Sequence, residues 1–189
     1  MRLTMIHRTL ALLALVALAV PASAQQTTGL AGYSLFLDPG HSQRQNQGAF
    51  GYSESEGTLL NSKALIDILR TYTDIDTVFT SRTNLTSEVS LTQRVDLANA
   101  SGADFFHSIH TNAAGPDARS LFVLWPQRPD LSEGTPTGGK ELAEATGALL
   151  AEKMQVPASN GGAWGECAFY GVSSCSSGPK GGRNFVQRN

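Results

Sequence analysis

The chain has 189 residues and a formal net charge of −2, with 16% charged and 7% aromatic residues. That length suits one domain with a buried core and is short for two. A hydrophobic share of 41% argues against wholesale disorder, the slightly acidic balance argues against a nucleic-acid partner, and two cysteines with no CxxC pair exclude a zinc finger or a haem attachment site.

In chain order, Arg2, His7 and Arg8 make a short basic start, and residues 10–20 are an unbroken apolar run. The run is too short to cross a bilayer, which takes about 20 residues. Ala22-Ser23-Ala24 follows and fits the A-x-A cleavage rule. Residues 1–24 are therefore expected to be a secretory signal peptide cleaved after Ala24, leaving a periplasmic or secreted protein with no stable membrane insertion. Cleavage removes two arginines and no acid, so the remaining chain is more acidic still. Export also makes the cysteines legible. Cys167 and Cys175 stand eight apart in a Gly- and Ser-rich stretch, which in an oxidising compartment reads as a disulfide closing a small loop. Loop entropy gives such a ring about 2–3 kcal/mol.

Residues 25–32 read as a linker. Residues 33–37 form an apolar run that stops at Asp38-Pro39-Gly40, as a buried strand would, and residues 42–52 are a polar loop. Ser53 and Glu56 fit a capping box opening a helix that runs to about Arg70, with Leu60, Ala64 and Ile68 spaced by four and Leu65 and Leu69 beside them. Residues 77–80 are a β-branched strand. Ser90 and Gln93 make a second capping box, opening a helix with Leu91, Val95 and Ala98 on one side. Strands are expected at 103–109 and 121–125, a proline-containing loop at 126–137 and a helix at 140–154. From 156 to 182 the chain is dominated by Gly, Ser, Ala and Pro and offers no element. Alternating strands and helices predict a single α/β domain, with a mixed or mostly parallel sheet flanked by helices.

His41 and His110 each stand just past the end of a predicted strand, and Glu54 lies in the first turn of the helix after the polar loop. In an open α/β sheet, ligands bind beyond the carboxyl ends of strands. If the two strands are parallel neighbours, the imidazoles converge. Two His and one Glu are the three-ligand set of a catalytic zinc site with its fourth position open.

The motifs sharpen this. Leu37-Asp38-Pro39-Gly40-His41, then Ser53-Glu54 heading a helix, Thr80-Ser81-Arg82, Leu91-Thr92-Gln93-Arg94 with Ala98-Asn99, and Ser108-Ile109-His110-Thr111-Asn112 occur in that order. The chain resembles the zinc-dependent N-acetylmuramoyl-L-alanine amidases of the amidase-3 family, closely over residues 33–113 and loosely beyond. The resemblance implies zinc held by His41, Glu54 and His110. It also implies hydrolysis, in peptidoglycan, of the amide between the lactyl group of N-acetylmuramic acid and L-alanine.

Glu54 and Glu56 are about 200° apart around a helix, so one of them faces the metal. Glu56 has a sufficient role in the capping box, and Glu54 keeps the family's spacing to Leu59 and Leu65. His107 points away from His110 if the strand is regular, and is expected to pack under the sheet. Asp38 either accepts the free N–H of a ligand imidazole or caps the turn at Pro39-Gly40. Asn112 orients substrate or stabilises its loop. Arg82 and Arg94 are expected in structural salt bridges.

The resemblance further implies a general-base glutamate on a late strand, after a proline. No such stretch follows Arg183-Asn184-Phe185-Val186-Gln187-Arg188-Asn189. The domain, taken as residues 33–189, is accordingly expected to lack its last strand, with the base beyond Asn189. Glu166, the nearest late acid, lies before that ending beside Cys167 and is a poor candidate. The protein is expected to be a monomer acting on peptidoglycan, and the competing reading is a non-catalytic peptidoglycan-binding fragment or homologue that lacks the general-base glutamate. A serine hydrolase is disfavoured by the lack of a G-x-S-x-G elbow.

Overall fold

The computed structural model describes residues 26–43, 45–111, 119–134 and 138–171. Its centre is β1 (Ser34–Pro39), flanked by β2 (Thr77–Thr80) and β3 (Phe105–Ile109) in a three-stranded sheet of order β2-β1-β3. Both pairings are parallel, and Leu37 sits opposite Thr80 on one side and His107 on the other. Parallel neighbours need crossover connections. Helix α1 (Glu54–Tyr72) makes the first and α2 (Leu91–Ser101) the second. Phe36 and Leu37 point to opposite faces, and both are buried, as in a central parallel strand covered on both sides.

The remaining strands form a second sheet rather than extending the first. β4 (Leu121–Trp125) pairs in parallel with β5 (Ala158–Gly165), with a register shift between Leu121 and Val123. Helix α3 (Gly139–Met154) connects them and packs on this pair, around a core of Trp125, Ala143 and Ala163 with Val123 against it. A short helix α4 (Glu166–Tyr170) follows β5 directly. The α/β class and parallel pairing are as the sequence predicts; the division into two sheets is not.

β5 and α4 lie in the stretch where the sequence promised no element. Ser159-Asn160-Gly161-Gly162 has poor strand propensity, so tertiary packing carries this strand. A side-chain carbon at Gly147 of α3 would come within 2.6 Å of the Gly162 carbonyl carbon. Paired glycines thus let the helix lie directly on the strand. Asn160, at a positive φ of 50°, steadies the irregular segment by donating from Nδ2 to the Ala163 carbonyl at 2.8 Å.

The packed face of α1 also differs. Leu60 and Ile68 are exposed, and the buried side carries Ser55, Thr58, Leu59 and Ser62. Within that face, Thr58 donates to the Gly40 carbonyl at 2.8 Å. In α2 the buried positions are Arg94 and Ala98, whereas Leu91 is exposed.

The Ser90–Gln93 capping box forms, with Gln93 N–H donating to Ser90 Oγ at 3.2 Å and Ser90 N–H to Gln93 Oε1 at 2.8 Å. The Ser53–Glu56 box does not. Ser53 Oγ turns to Ser55 Oγ at 3.0 Å, Glu56 is exposed, and the Glu54 N–H donates instead to the Asn46 carbonyl at 3.0 Å. The returning loop caps this helix.

Residues 26–32, read as a linker, are tied down over the part described. Thr27 bridges to Thr73, and the Gly29 and Leu30 N–H groups donate to the Asp74 carboxylate at 3.0 and 2.8 Å. Residues 1–24 lie outside the described residues. No helix among the described residues is long and apolar enough to cross a membrane.

Candidate metal centre

β1 and β3 run side by side with Pro39 level with Ile109. His41 and His110, just beyond those positions, therefore emerge on one rim. The ring centroids are 4.9 Å apart with the planes nearly perpendicular, at 81°. Glu54, at the head of α1, comes up between them: Oε2 lies 3.2 Å from His41 Nε2 and Oε1 lies 3.0 Å from His110 Nδ1. One donor atom from each of the three residues falls within 4.8 Å of the others. The structure brings Glu54, and not Glu56, to the histidines, although the capping role assigned to Glu56 is not made. His107 stays on its strand, half-buried and outside this group, and burial pushes its imidazole below the ordinary value.

The donor set suits a cation. The Glu54 carboxylate is fully buried, whereas the His41 and His110 side chains are 28% and 47% exposed, so the group opens to solvent on the histidine side. Burial is the largest influence lowering the His41 pKa; the Glu54 charge opposes it, and His110 and Arg94 add to the lowering. A neutral imidazole presents the lone pair a metal takes. Two imidazoles and a carboxylate match a three-ligand zinc site, and a buried carboxylate facing two imidazoles is better compensated with a cation between them.

The sequence reading missed several supports. Asn46 Nδ2 donates to Glu54 Oε2 and lies 3.4 Å from His41 Nε2. The Thr111 N–H donates to Glu54 Oε1 at 2.9 Å, and the Thr111 hydroxyl shares a hydrogen bond with the Tyr52 phenol. Nothing in a polar loop marks Asn46 or Tyr52 in advance, since their partners are supplied by chain reversal. Gly40 is also required. A carbon added there would meet the His110 ring at 2.5–2.7 Å.

Among the described residues, the Asp38 carboxylate accepts from Arg94 Nη1, from Ser81 Oγ at 2.5 Å and from Ser108 Oγ at 3.0 Å, and no bond between it and a ligand imidazole or the turn is seen. It anchors Arg94, which in turn donates to the Pro39 carbonyl at 2.7 Å and the His41 carbonyl at 2.5 Å. Arg94 thus forms its expected salt bridge. Arg82 instead donates to carbonyls: Nε to Pro39 at 3.1 Å, and Nη2 to Gly40 at 2.9 Å and Ser55 at 2.6 Å. Two buried guanidinium groups therefore hold the carbonyls of residues 39, 40 and 41. That grip maintains His41 at a positive φ of 58°, uncommon for a residue with a side chain. Burial and then the neighbouring Arg94 charge lower the Arg82 pKa, with Asp38 opposing.

Glu166 is buried at the start of α4 and is not part of the three-donor group. Cys167 beside it is fully buried, with Sγ 3.0 Å from the Gln127 carbonyl oxygen. Asn112 and Cys175 lie outside the described residues.

Comparison with known proteins places the chain among cell-wall amidases. The chain is 43% identical over 82 residues to the N-acetylmuramoyl-L-alanine amidase CwlM of Bacillus licheniformis, a match covering 43% of this chain and 32% of that protein. It is 36% identical over 105 residues to the sporulation-specific N-acetylmuramoyl-L-alanine amidase of Bacillus subtilis, covering 54% and 39%. The chain thus spans well under half the length of these curated relatives. The solved N-acetylmuramoyl-L-alanine amidase of Clostridium difficile 630 superposes with a TM-score of 0.53 at 29% identity, over 71% of this chain and 72% of that one. The fold is also that of apo Ami1 from Mycobacterium abscessus, at a TM-score of 0.58 and 18% identity over 71% and 74%. The family model Amidase_3, described as N-acetylmuramoyl-L-alanine amidase, matches residues 35–162, which take in all but the first residue of β1, the three converging donors and most of β5; the chain belongs to that family.

Proposed function

We propose that this chain is a zinc-dependent peptidoglycan amidase, hydrolysing the amide between N-acetylmuramic acid and L-alanine. It acts as a monomer outside the cytoplasm once residues 1–24 are removed, with Cys167 bridged to Cys175. The observation that carries the reading is the convergence of His41, Glu54 and His110 on one rim within a family match that includes all three. When bound, zinc supplies Lewis acidity, polarising a scissile carbonyl and lowering the pKa of water at the open position towards about 7. The chain's own residues do the holding. Glu54 contributes the buried negative charge, with its oxygens fixed by Asn46 and Thr111. Burial is the main influence lowering the His41 pKa, which favours the neutral imidazole a metal takes. Arg82 and Arg94 immobilise the turn that carries His41, so the donors need little reorganisation to receive the ion.

The test is incubation of the purified chain with peptidoglycan sacculi, with zinc and with a chelator, followed by mass spectrometry of the soluble products. The expected products are stem peptides with a free L-alanine amino terminus, released only with zinc. Release insensitive to the chelator would reject the metal role. Binding to sacculi with no new amino termini would leave the non-catalytic reading.

A further inference from the structure

We infer that Tyr52, seated over Gly57 and hydrogen-bonded to Thr111, is a positioning residue that locks two metal ligands from distant parts of the chain against each other. The inference rests on the zinc-site reading above and names a determinant of that site's metal affinity.

Glu54 heads α1 and His110 ends β3, 56 residues away. Two hydrogen bonds tie their immediate neighbours together. The Thr111 N–H reaches Glu54 Oε1 at 2.9 Å, and the Thr111 hydroxyl meets the Tyr52 phenol, two residues before Glu54. Tyr52, Glu54, His110 and Thr111 therefore close a ring that spans the helix start and the strand end. Among the described residues, breaking the phenol link leaves Thr111 the bond from its own N–H to Glu54.

Gly57 makes the link feasible. It lies inside the first turns of α1, where glycine costs helix stability relative to alanine. A carbon at this position would overlap the phenol oxygen and lie 2.9 and 3.0 Å from Cζ and Cε2 of the Tyr52 ring. The glycine trades helix propensity for a seat that aims the phenol at Thr111. Tyr52 is 40% exposed, so removing its hydroxyl leaves no sealed cavity, and the effect should fall on ligand geometry rather than on folding. Partners that orient metal ligands typically contribute 10–100-fold in metal affinity. Tyr52 acts through Thr111, so the low end applies.

The experiment measures zinc affinity by competition with a chromophoric chelator and the visible spectrum of the cobalt(II)-loaded chain, with thermal melts to verify folding. Tyr52→Phe and Thr111→Val should each weaken zinc binding about ten-fold and change the cobalt spectrum, whereas Thr111→Ser, which keeps the hydroxyl, should match the parent. Gly57→Ala should displace the phenol and reproduce the Tyr52→Phe loss. In a Tyr52→Ala background, Gly57→Ala should instead raise the melting temperature and leave the affinity unchanged, because the crowding is gone. Glu54→Ala is the control for the site. If Glu54→Ala loses zinc while Tyr52→Phe binds within about two-fold of the parent with an unaltered spectrum, the lock is rejected and the zinc site stands. If Glu54→Ala retains zinc, the site reading fails and the lock with it.

Discussion

At the scale of single residues, the two glutamates of the first turn of α1 divide the labour. Glu54 is fully buried between imidazoles and Glu56 is exposed, with no capping bond to lose. Glu54→Ala and His110→Ala should therefore abolish zinc binding in metal analysis, since two protein ligands rarely hold a catalytic zinc. Glu56→Ala should keep the full complement and change stability by less than about 0.5 kcal/mol, as surface substitutions do. Zinc lost from Glu56→Ala and kept in Glu54→Ala would reverse the assignment. Gly40→Ala tests the same centre from below. A methyl group there occupies the space of the His110 ring, so zinc binding should fall although no ligand is altered. Both acids were visible in the sequence as candidates. The choice between them rested on the family's spacing of Glu54 to Leu59 and Leu65 and on a capping role for Glu56; the fold does not use the second, for Ser53 Oγ pairs with Ser55 and Glu56 is exposed.

At the scale of elements, β1 is the strand on which the site depends, and its Leu37 is completely buried. Leu37→Ala should destabilise the protein by about 2–5 kcal/mol in denaturant unfolding. Ser90→Ala removes the side-chain half of the box that opens α2 and should cost about 0.5–2 kcal/mol. A negligible effect there would mean the cap is made by solvent. The anchoring of residues 26–32 is pH-dependent in a direction the geometry sets. Backbone N–H groups of Gly29 and Leu30 hold the Asp74 carboxyl below its ordinary value of 3.8. A carboxyl depressed in the folded state contributes stability that is present above 3.8 and is lost as pH falls through the lowered value. Protection of the Gly29 and Leu30 amides, taken relative to intrinsic exchange, should accordingly be lost only below pH 3.8, and Asp74→Asn should show reduced protection at neutral pH.

At the scale of the whole molecule, the parallel pairing of β1 with β2 and β3 agrees with the alternation of strands and helices read from the sequence, and the structure places donor atoms of His41, Glu54 and His110 within 4.8 Å of one another. The proposed Cys167–Cys175 bridge belongs at this scale. Unreduced mass spectrometry should show two hydrogens fewer than the thiol form, and reduction should cost about 2–3 kcal/mol while leaving the metal centre intact, because the ring is local. Two free thiols would reject it. Read from residue patterns alone, the chain already determined its α/β class, most element positions, the histidines beyond two strand ends and the family motifs, because these are local signals: period, caps, turns and short spacings. Three-dimensional packing alone decided which face of α1 is buried, since Thr58 on that face donates to the Gly40 carbonyl while Leu60 and Ile68 face out. It alone produced β5 from a glycine-rich stretch, through the close approach of Gly147 and Gly162, and turned Arg82 from a presumed ion-pair partner into a clamp on backbone carbonyls. For α1 and Arg82 the physical reason is that a buried backbone carbonyl must find a donor, and for β5 it is the close backbone approach that paired glycines allow; in each case the partner lies well away in the chain.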